Sequence, residues 1–500
     1  MGSRRADVPS YRELYSISDL HLGGSRPGGQ IFCQGARLKA FLERLAGKPG
    51  PLCLVIAGDL FDSLPYLTGT GTYVAIDGAA DILRGIMTEP AFAPVFDGLR
   101  RFLAADGREL IVLIGNHDLE IALPEAQEAL LAAIAPTAAA RGRVRFSTSG
   151  VGFRCDVGGL SVYVTHGNEA DSWNHVDHEA LRRAAHARAL GKPWDARAWV
   201  PNAGTKLVID AMNAVKTSHP FIDLLKPETG AALRVLRALA PETVASLVDA
   251  LPAFSRAVRA HAGPGFVLGQ GAPGGTGELE VVQLLGEAAR ADSAPAAGVP
   301  DGRKLMERVS RLHGAGASPA SLVTDDPSTL GYVWNRISGA PPAEALRLAL
   351  RDWLEGDRSF TIDDRDATYR EVVAQVGPDV DVVITGHTHL PRWIQARDRG
   401  LTYLNAGAWA RTIGLRPEFL AHEVAFAPVY RALKSTVLGD LDATTVEVDG
   451  VQVPLVLDAT VAAHVGGDDG AGPELIRITG TAGALTEVPV DATASVLAWR

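Results

Sequence analysis

The sequence predicts an α/β fold built on parallel strands and interrupted once by a long helical segment. Three observations carry this. Apolar runs such as Leu52–Ala57 stop at a glycine, the pattern of strands buried on both faces. Segments with apolar residues at helical spacing alternate with them. Strand signals fade over residues 172–370 and return at 381–385, which again stops at a glycine, Gly386.

In chain order, residues 15–18 form a short strand that runs into a polar turn. Residues 37–45 form a helix with the apolar stripe Leu38, Phe41, Leu42 and Leu45. Leu52–Ala57 and residues 110–114 are two buried strands. Residues 144–146 and 160–165 are further strands, the second preceded by the turn at Gly158 and Gly159. Helical runs then dominate, at 178–190, 205–216, 230–239 and 242–251. Two flexible stretches rich in Gly, Pro or small residues, 263–277 and 293–302, divide that region. After the strand at 381–385, residues 401–404 add another, 417–433 read as a helix, and 444–500 read as short strands with turns. No repeat of fixed period is visible. The expected organisation is one domain in two parts, residues 1–171 and 371–500, split by a helical cap at 172–370.

Composition narrows the function. A chain of 500 residues buries a sizeable core without disulfides. Its three cysteines, Cys33, Cys53 and Cys155, are odd in number and unclustered. That argues against a disulfide scaffold or a zinc ribbon, and reads as small buried apolar side chains. Lys and Arg number 48 against 58 Asp and Glu, a net charge of -10, so there is no strong nucleic-acid signature. No apolar run reaches 18 residues, so no transmembrane segment is expected. The N-terminus lacks the apolar stretch of a secretory signal, and Ala6 breaks the myristoylation pattern that Met1-Gly2 opens. The expected compartment is the cytoplasm.

Five polar blocks stand at predicted strand ends. They are Ser18-Asp19-Leu20-His21-Leu22, Gly58-Asp59-Leu60-Phe61-Asp62, Gly115-Asn116-His117-Asp118, Thr165-His166-Gly167-Asn168 and Gly386-His387-Thr388-His389. Ligands of open α/β sheets gather at such ends, so the blocks should converge. Asp19 and His21 lie two apart, as do His387 and His389, so in extended backbone each pair shares a side. Carboxylates, imidazoles and one amide oxygen suit first-row divalent ions: Mn, Fe, Co, Ni or Zn. The set is too large for one ion with open positions. Two ions about 3.5–4 Å apart, sharing one carboxylate and a hydroxide, would clamp an in-line displacement at phosphorus.

In order and spacing the five blocks resemble the signature of the calcineurin-like metallophosphoesterases, over roughly residues 15–170 and 380–410. The resemblance implies a four-layer α/β/β/α sandwich carrying two divalent metal ions, Mn first among the possibilities. By that resemblance Asp19, His21 and His389 hold one metal. Asn116, His166 and His387 hold the other, and Asp59 bridges. His117 faces the substrate as a charge stabiliser or general acid, Asp118 orients it, and Asp62 supports the site.

Two branches frame the substrate. The UDP-2,3-diacylglucosamine hydrolases share the first, second and last blocks and an insertion after the His-Gly block. They carry Arg in place of His117 and a much shorter insertion. The double-strand-break repair nucleases share Asp19-Leu20-His21-Leu22-Gly23, Gly-Asp-Leu-Phe and Gly-Asn-His-Asp, while the acidic balance here argues against DNA. The expected function is hydrolysis of a phosphodiester or pyrophosphate by a metal-bridging hydroxide. The alternatives are a metal-dependent nuclease and a partner-binding scaffold with weak or lost activity.

Other residues carry weaker signals. Asp171 and Asn405 are the substrate-side candidates, with Asn174 close to the first; a turn is an equal reading for Asn405. His175 and His178 read as a solvated helix start. Trp173, Trp194 and Trp199 read as core aromatics. The stretch 263–277 lacks Gly-Lys-Ser/Thr, so it is not a phosphate-binding P-loop.

Overall fold

Apolar strands of this kind need cover on both faces, and the fold supplies it in four layers. The computed structural model describes residues 8–23, 30–64, 78–171, 174–193, 202, 204, 205, 208, 213–226, 235, 239, 341–466, 472–481 and 483–499. The expected helices at 230–239 and 242–251, the stretches 263–277 and 293–302, and Trp173, Trp194 and Trp199 lie wholly or mostly outside them. The chain divides into two compact units. One comprises residues 1–209, 360–411 and 458–499; the other comprises 210–359 and 412–457, with residue 500.

Among the described residues, the first unit holds two large sheets and a small parallel pair, Leu22–Gly23 with Phe61–Asp62. The strands of the large sheets are β1 (Ser10–Tyr11), β2 (Glu13–Ile17), β3 (Leu52–Ala57), β4 (Arg108–Leu113), β5 (Val144–Ser147), β6 (Phe153–Val157), β7 (Leu160–Val164), β8 (Val382–Thr385), β9 (Arg392–Ala396), β10 (Leu401–Asn405), β11 (Val461–Gly466), β12 (Glu474–Thr479) and β13 (Thr486–Pro489). The larger sheet has the order β13-β12-β11-β2-β3-β4-β5, the other β1-β6-β7-β8-β10-β9. Strands β2 to β5 run parallel, in register from Glu13 opposite Leu52 and Leu52 opposite Arg108. In the second sheet β7, β8 and β10 are parallel, with Val382 opposite both Val162 and Thr402.

Strand period explains the layers. Tyr15, Ile17, Leu54, Ile56, Leu110 and Val112 face a core shared with helices α1 (Gly35–Ala46), α2 (Ala79–Thr88), α3 (Ala93–Ala104) and α4 (Pro124–Ile134). The alternate residues Leu14, Cys53, Val55, Ile111 and Leu113 are equally buried. They face the second sheet, where Val157 packs at Gly466. The outer face of that sheet (Val383, Ile394, Tyr403) packs on Tyr369, Val372 and Val373 of a further helix, Ala367–Gln375. Burying a side chain of this size stabilises by about 1.5–3 kcal/mol. Helix follows strand on the outside because parallel neighbours need a crossover.

The C-terminal segment divides between the units. Strands β11 to β13 join the larger sheet antiparallel, with β11 beside β2. In the second unit, Thr445–Val448 pairs antiparallel with Val451–Pro454. Thr412–Gly414 lies there between Leu225–Lys226 and Val456–Leu457. The single helix expected over 417–433 is two elements: a 3-10 turn, Pro417–Leu420, and an α-helix, Glu423–Leu433. The break is His422, whose extended backbone and side chain cap the second helix by accepting from the Ala425 N–H. Among the described residues, no helix is long and apolar enough to cross a membrane.

Candidate metal centre

The first block leaves β2 at Ile17 and immediately winds. The Asp19 N–H donates to the Gly58 carbonyl at 3.2 Å, and the His21 N–H to the Asp59 carbonyl at 2.9 Å. Asp19, His21, Asp59, His387 and His389 all have positive φ, from 46° to 70°. The extended backbone expected for Asp19-Leu20-His21 and His387-Thr388-His389 is therefore replaced by left-handed residues. Left-handed backbone costs a side-chain-bearing residue of order 1–3 kcal/mol and persists only where surroundings over-determine it. Here paired loops provide that constraint.

The glycines ahead of the polar residues have a spatial reason. A Cβ on Gly115 would stand 2.0 Å from Asp59 Oδ1. On Gly386 it would stand 2.5 Å from Asp19 Oδ2, and on Gly58 2.4 Å from His166 Nδ1. Each glycine clears room for a site side chain from another block.

Two sets of candidate ligands result. In the first, His389 Nε2 and His21 Nε2 lie 2.9 Å apart, and Asp19 Oδ1 is 3.3 Å from the former and 3.7 Å from the latter. In the second, His166 Nε2 is 3.2 Å from Asn116 Oδ1. His387 joins this set by its ring, whose centroid lies 5.3 Å from that of His166. Between the sets stands Asp59. Its Oδ2 is 3.2 Å from His166 Nε2 and 3.7 Å from His21 Nε2. Its Oδ1 accepts from the His117 N–H at 2.9 Å.

The donor set fits divalent cations. Asp19 Oδ1 is fully buried and makes no regular hydrogen bond, a costly state unless something else satisfies the oxygen. Two imidazole nitrogens converge on it. The groups Asp19/His21/His389 and Asp19/Asp59/His166 each bring three ligand atoms within 4.8 Å of one another. His166 donates its remaining ring N–H to the Ala57 carbonyl at 2.7 Å, which leaves Nε2 free to ligate.

Electrostatics give the same reading. Burial opposes ionisation of Asp19, Asp59 and Asp62, yet the surrounding imidazoles hold all three carboxyls below the usual range. Burial likewise opposes charge on the histidines. Carboxylates overcome it, raising His21 well above its ordinary value and His166 to about 9. Three buried carboxylates need positive charge nearby, and protons or cations on the same nitrogens can supply it.

His117 differs from the other site histidines in access. Its side chain is 21% exposed, against 3% for His21 and 1% for His166. Its Nδ1 lies 3.3 Å from Asp62 Oδ1. The orienting carboxylate is thus Asp62, and the expectation for Asp118 is corrected. Both Asp118 oxygens are taken by the backbone: Oδ1 accepts from Gly115 at 2.7 Å and Oδ2 from Leu60 at 2.8 Å. Asp118 pins two loops together. Burial pushes its carboxyl up to about 7.

The remaining candidates separate. Asp171 Oδ2 lies 3.1 Å from His387 Nε2. Asn405 is fully buried, donates to the Gly386 carbonyl at 2.7 Å and accepts from the Gly407 N–H at 2.9 Å, bracing the last block from behind. His175 and His178 both pair with Glu169. Sequence reasoning missed Asp62 as the partner of His117. It also missed buried Glu120, which accepts from the Ser63 hydroxyl at 2.7 Å.

Residues 14–217 match the family model for calcineurin-like phosphoesterases. No curated protein matches the chain. The last block, at 386–389, lies beyond the matched residues and reaches the site through β8.

Proposed function

Through residues 14–217 the chain belongs to the calcineurin-like phosphoesterases, and from that premise we propose that it is a dimetal hydrolase of phosphodiester or pyrophosphate bonds. The observation that carries the reading is Asp59, a single carboxylate oxygen within 3.7 Å of imidazoles from both ligand sets. Asp19, His21 and His389 would hold one divalent ion; Asn116, His166 and His387 would hold the second. Bound there, the ions supply a nucleophilic water of lowered pKa and neutralise charge at phosphorus. Manganese is the first metal to test, because mixed carboxylate, imidazole and amide ligands suit it.

The chain's own residues do the rest. Asp62 holds Nδ1 of His117, which leaves Nε2 as the ring nitrogen to meet a substrate. Burial opposes charge on His117, and the Asp62 and Asp59 carboxylates outweigh it, so its pKa stands above the ordinary imidazole value. A protonated Nε2 can donate to a phosphoryl oxygen or to the leaving oxygen. A cytoplasmic site of action agrees with the thiols Cys53 and Cys155, buried as expected and not joined in a disulfide; Cys33, expected to be buried too, is exposed.

The test is turnover of bis-p-nitrophenyl phosphate and p-nitrophenyl phosphate by chelator-stripped protein with added Mn²⁺. The expected result is metal-dependent cleavage that favours the diester. In His117→Ala the rate should fall by about 10²–10⁴-fold. Cleavage that persists in chelator, or an unaltered rate in His117→Ala, would overturn the reading.

A further inference from the structure

Asn116 offers a metal only one useful atom. Its carboxamide oxygen can ligate, while its nitrogen carries two protons and cannot. A half-turn of the amide exchanges them, so something must choose the oxygen. Asn116 Nδ2 donates to Asn174 Oδ1 at 3.4 Å while Oδ1 stays beside His166. Asn174 is oriented in turn, because its Nδ2 donates to Asp171 Oδ2 at 2.8 Å. A carboxylate can only accept, so the direction of the whole chain is set from Asp171.

The same Asp171 oxygen lies 3.1 Å from His387 Nε2. A carboxylate accepts, so that contact favours a proton on His387 Nε2, and Nδ1 would then be the atom to ligate. Asp171 and Asn174 therefore address two different side chains of one ligand set.

The pair is itself held firmly. The Asn174 carbonyl accepts from Asn168 Nδ2 at 3.0 Å and from Asn202 Nδ2 at 3.4 Å. Asn202 Oδ1 accepts from the Thr205 N–H at 2.7 Å. Gly204 leaves the space for the Asn174 side chain, since a Cβ there would stand 2.2 Å from Oδ1. Asn116, Asn168, Asn174 and Asn202 are all buried. A plain loop brace needs none of this directionality toward Asn116.

We infer that Asp171 and Asn174 are a positioning pair that fixes Asn116 and His387, and so sets the affinity of the second ion without touching the first. This rests on the dimetal reading above. It places Asp171 behind the metal ligands rather than on the substrate.

The experiment is a calorimetric Mn²⁺ titration of metal-free wild type, Asn174→Leu and Asp171→Asn. Leucine keeps the shape of asparagine without its hydrogen bonds, and asparagine keeps the shape of aspartate without its charge. Wild type should take two ions per chain. Each variant should keep one at wild-type affinity and bind the other about 10–100-fold more weakly. Diester turnover at low Mn²⁺ should fall and return at saturating Mn²⁺, with KM for the diester unchanged. Two ions bound at wild-type affinity in both variants, or equal weakening of both ions, overturns the pair. A wild type that binds fewer than two ions overturns the dimetal reading itself.

Discussion

Asp19, His21 and His389 all stand on left-handed backbone, whereas of Asn116, His166 and His387 only the last does. The first set is aimed by its main chain. Asp19 and His21 are fixed by their own N–H groups, and Asp19 Oδ2 accepts from the His387 N–H at 3.0 Å. The second set is aimed through side chains: His166 against Ala57, Asn116 against Asn174, His387 against Asp171. Backbone-aimed ligands move only if a loop refolds. Side-chain-aimed ligands can be altered one hydrogen bond at a time. The difference teaches that two halves of one candidate metal centre can be aimed by different means, main chain on one side and side chains on the other.

The strongest challenge to this division is at the shared carboxylate. Asp59→Asn should impair both halves, and turnover with Mn²⁺ should fall by about 10³-fold or more, some 4 kcal/mol of barrier. Turnover near wild type would show that the halves do not share Asp59.

Two glycines sharpen the contrast. Gly386→Ala drives a Cβ into Asp19 Oδ2 and Ser18 Oγ, while Gly58→Ala meets His166 at a φ of 87°. The first should weaken the ion of the first set and the second the other ion, each by about 10–100-fold. Anomalous scattering from Mn²⁺-soaked crystals reads the two occupancies separately. Loss of the same ion in both variants would erase the distinction.

A further effect, on stability and not on turnover, lies outside both sets, at Glu120. Burial pushes its carboxyl up from 4.5 to about 8. Between those values the folded state holds a proton that the unfolded state has lost. This contribution is therefore full at low pH and declines as pH rises toward 8, with a slope of up to about 1.4 kcal/mol per pH unit. Glu120→Gln should flatten that decline in denaturant midpoints while leaving Mn²⁺ binding alone. An unchanged pH profile would show that Glu120 is already ionised in the fold.

Several parts of the fold were readable because their causes are local. Leu52–Ala57 is apolar at every position, so it had to lie between two layers. Gly58, Gly115 and Gly386 each precede a polar residue, and each clears a side chain. Other parts were not readable. Phe153–Val157 alternates too weakly to stand out, yet it becomes a strand by pairing with Leu160–Val164. Segment 461–489 shows only short strands, and its place beside β2 depends on partners more than 400 positions away in sequence.

By itself the sequence determined which side chains stand at the strand ends, in what order, and that they suit divalent ions, because residue type and strand period are properties of contiguous chain. Only the tertiary structure decided how those side chains are aimed. It gave His117 to Asp62, 55 positions away, and left the adjacent Asp118 to the backbone. It turned Asp19 and His21 into left-handed residues, and it set Asn174 behind Asn116 across 58 positions. A hydrogen-bond partner is chosen by distance and direction in space, and no local pattern encodes either.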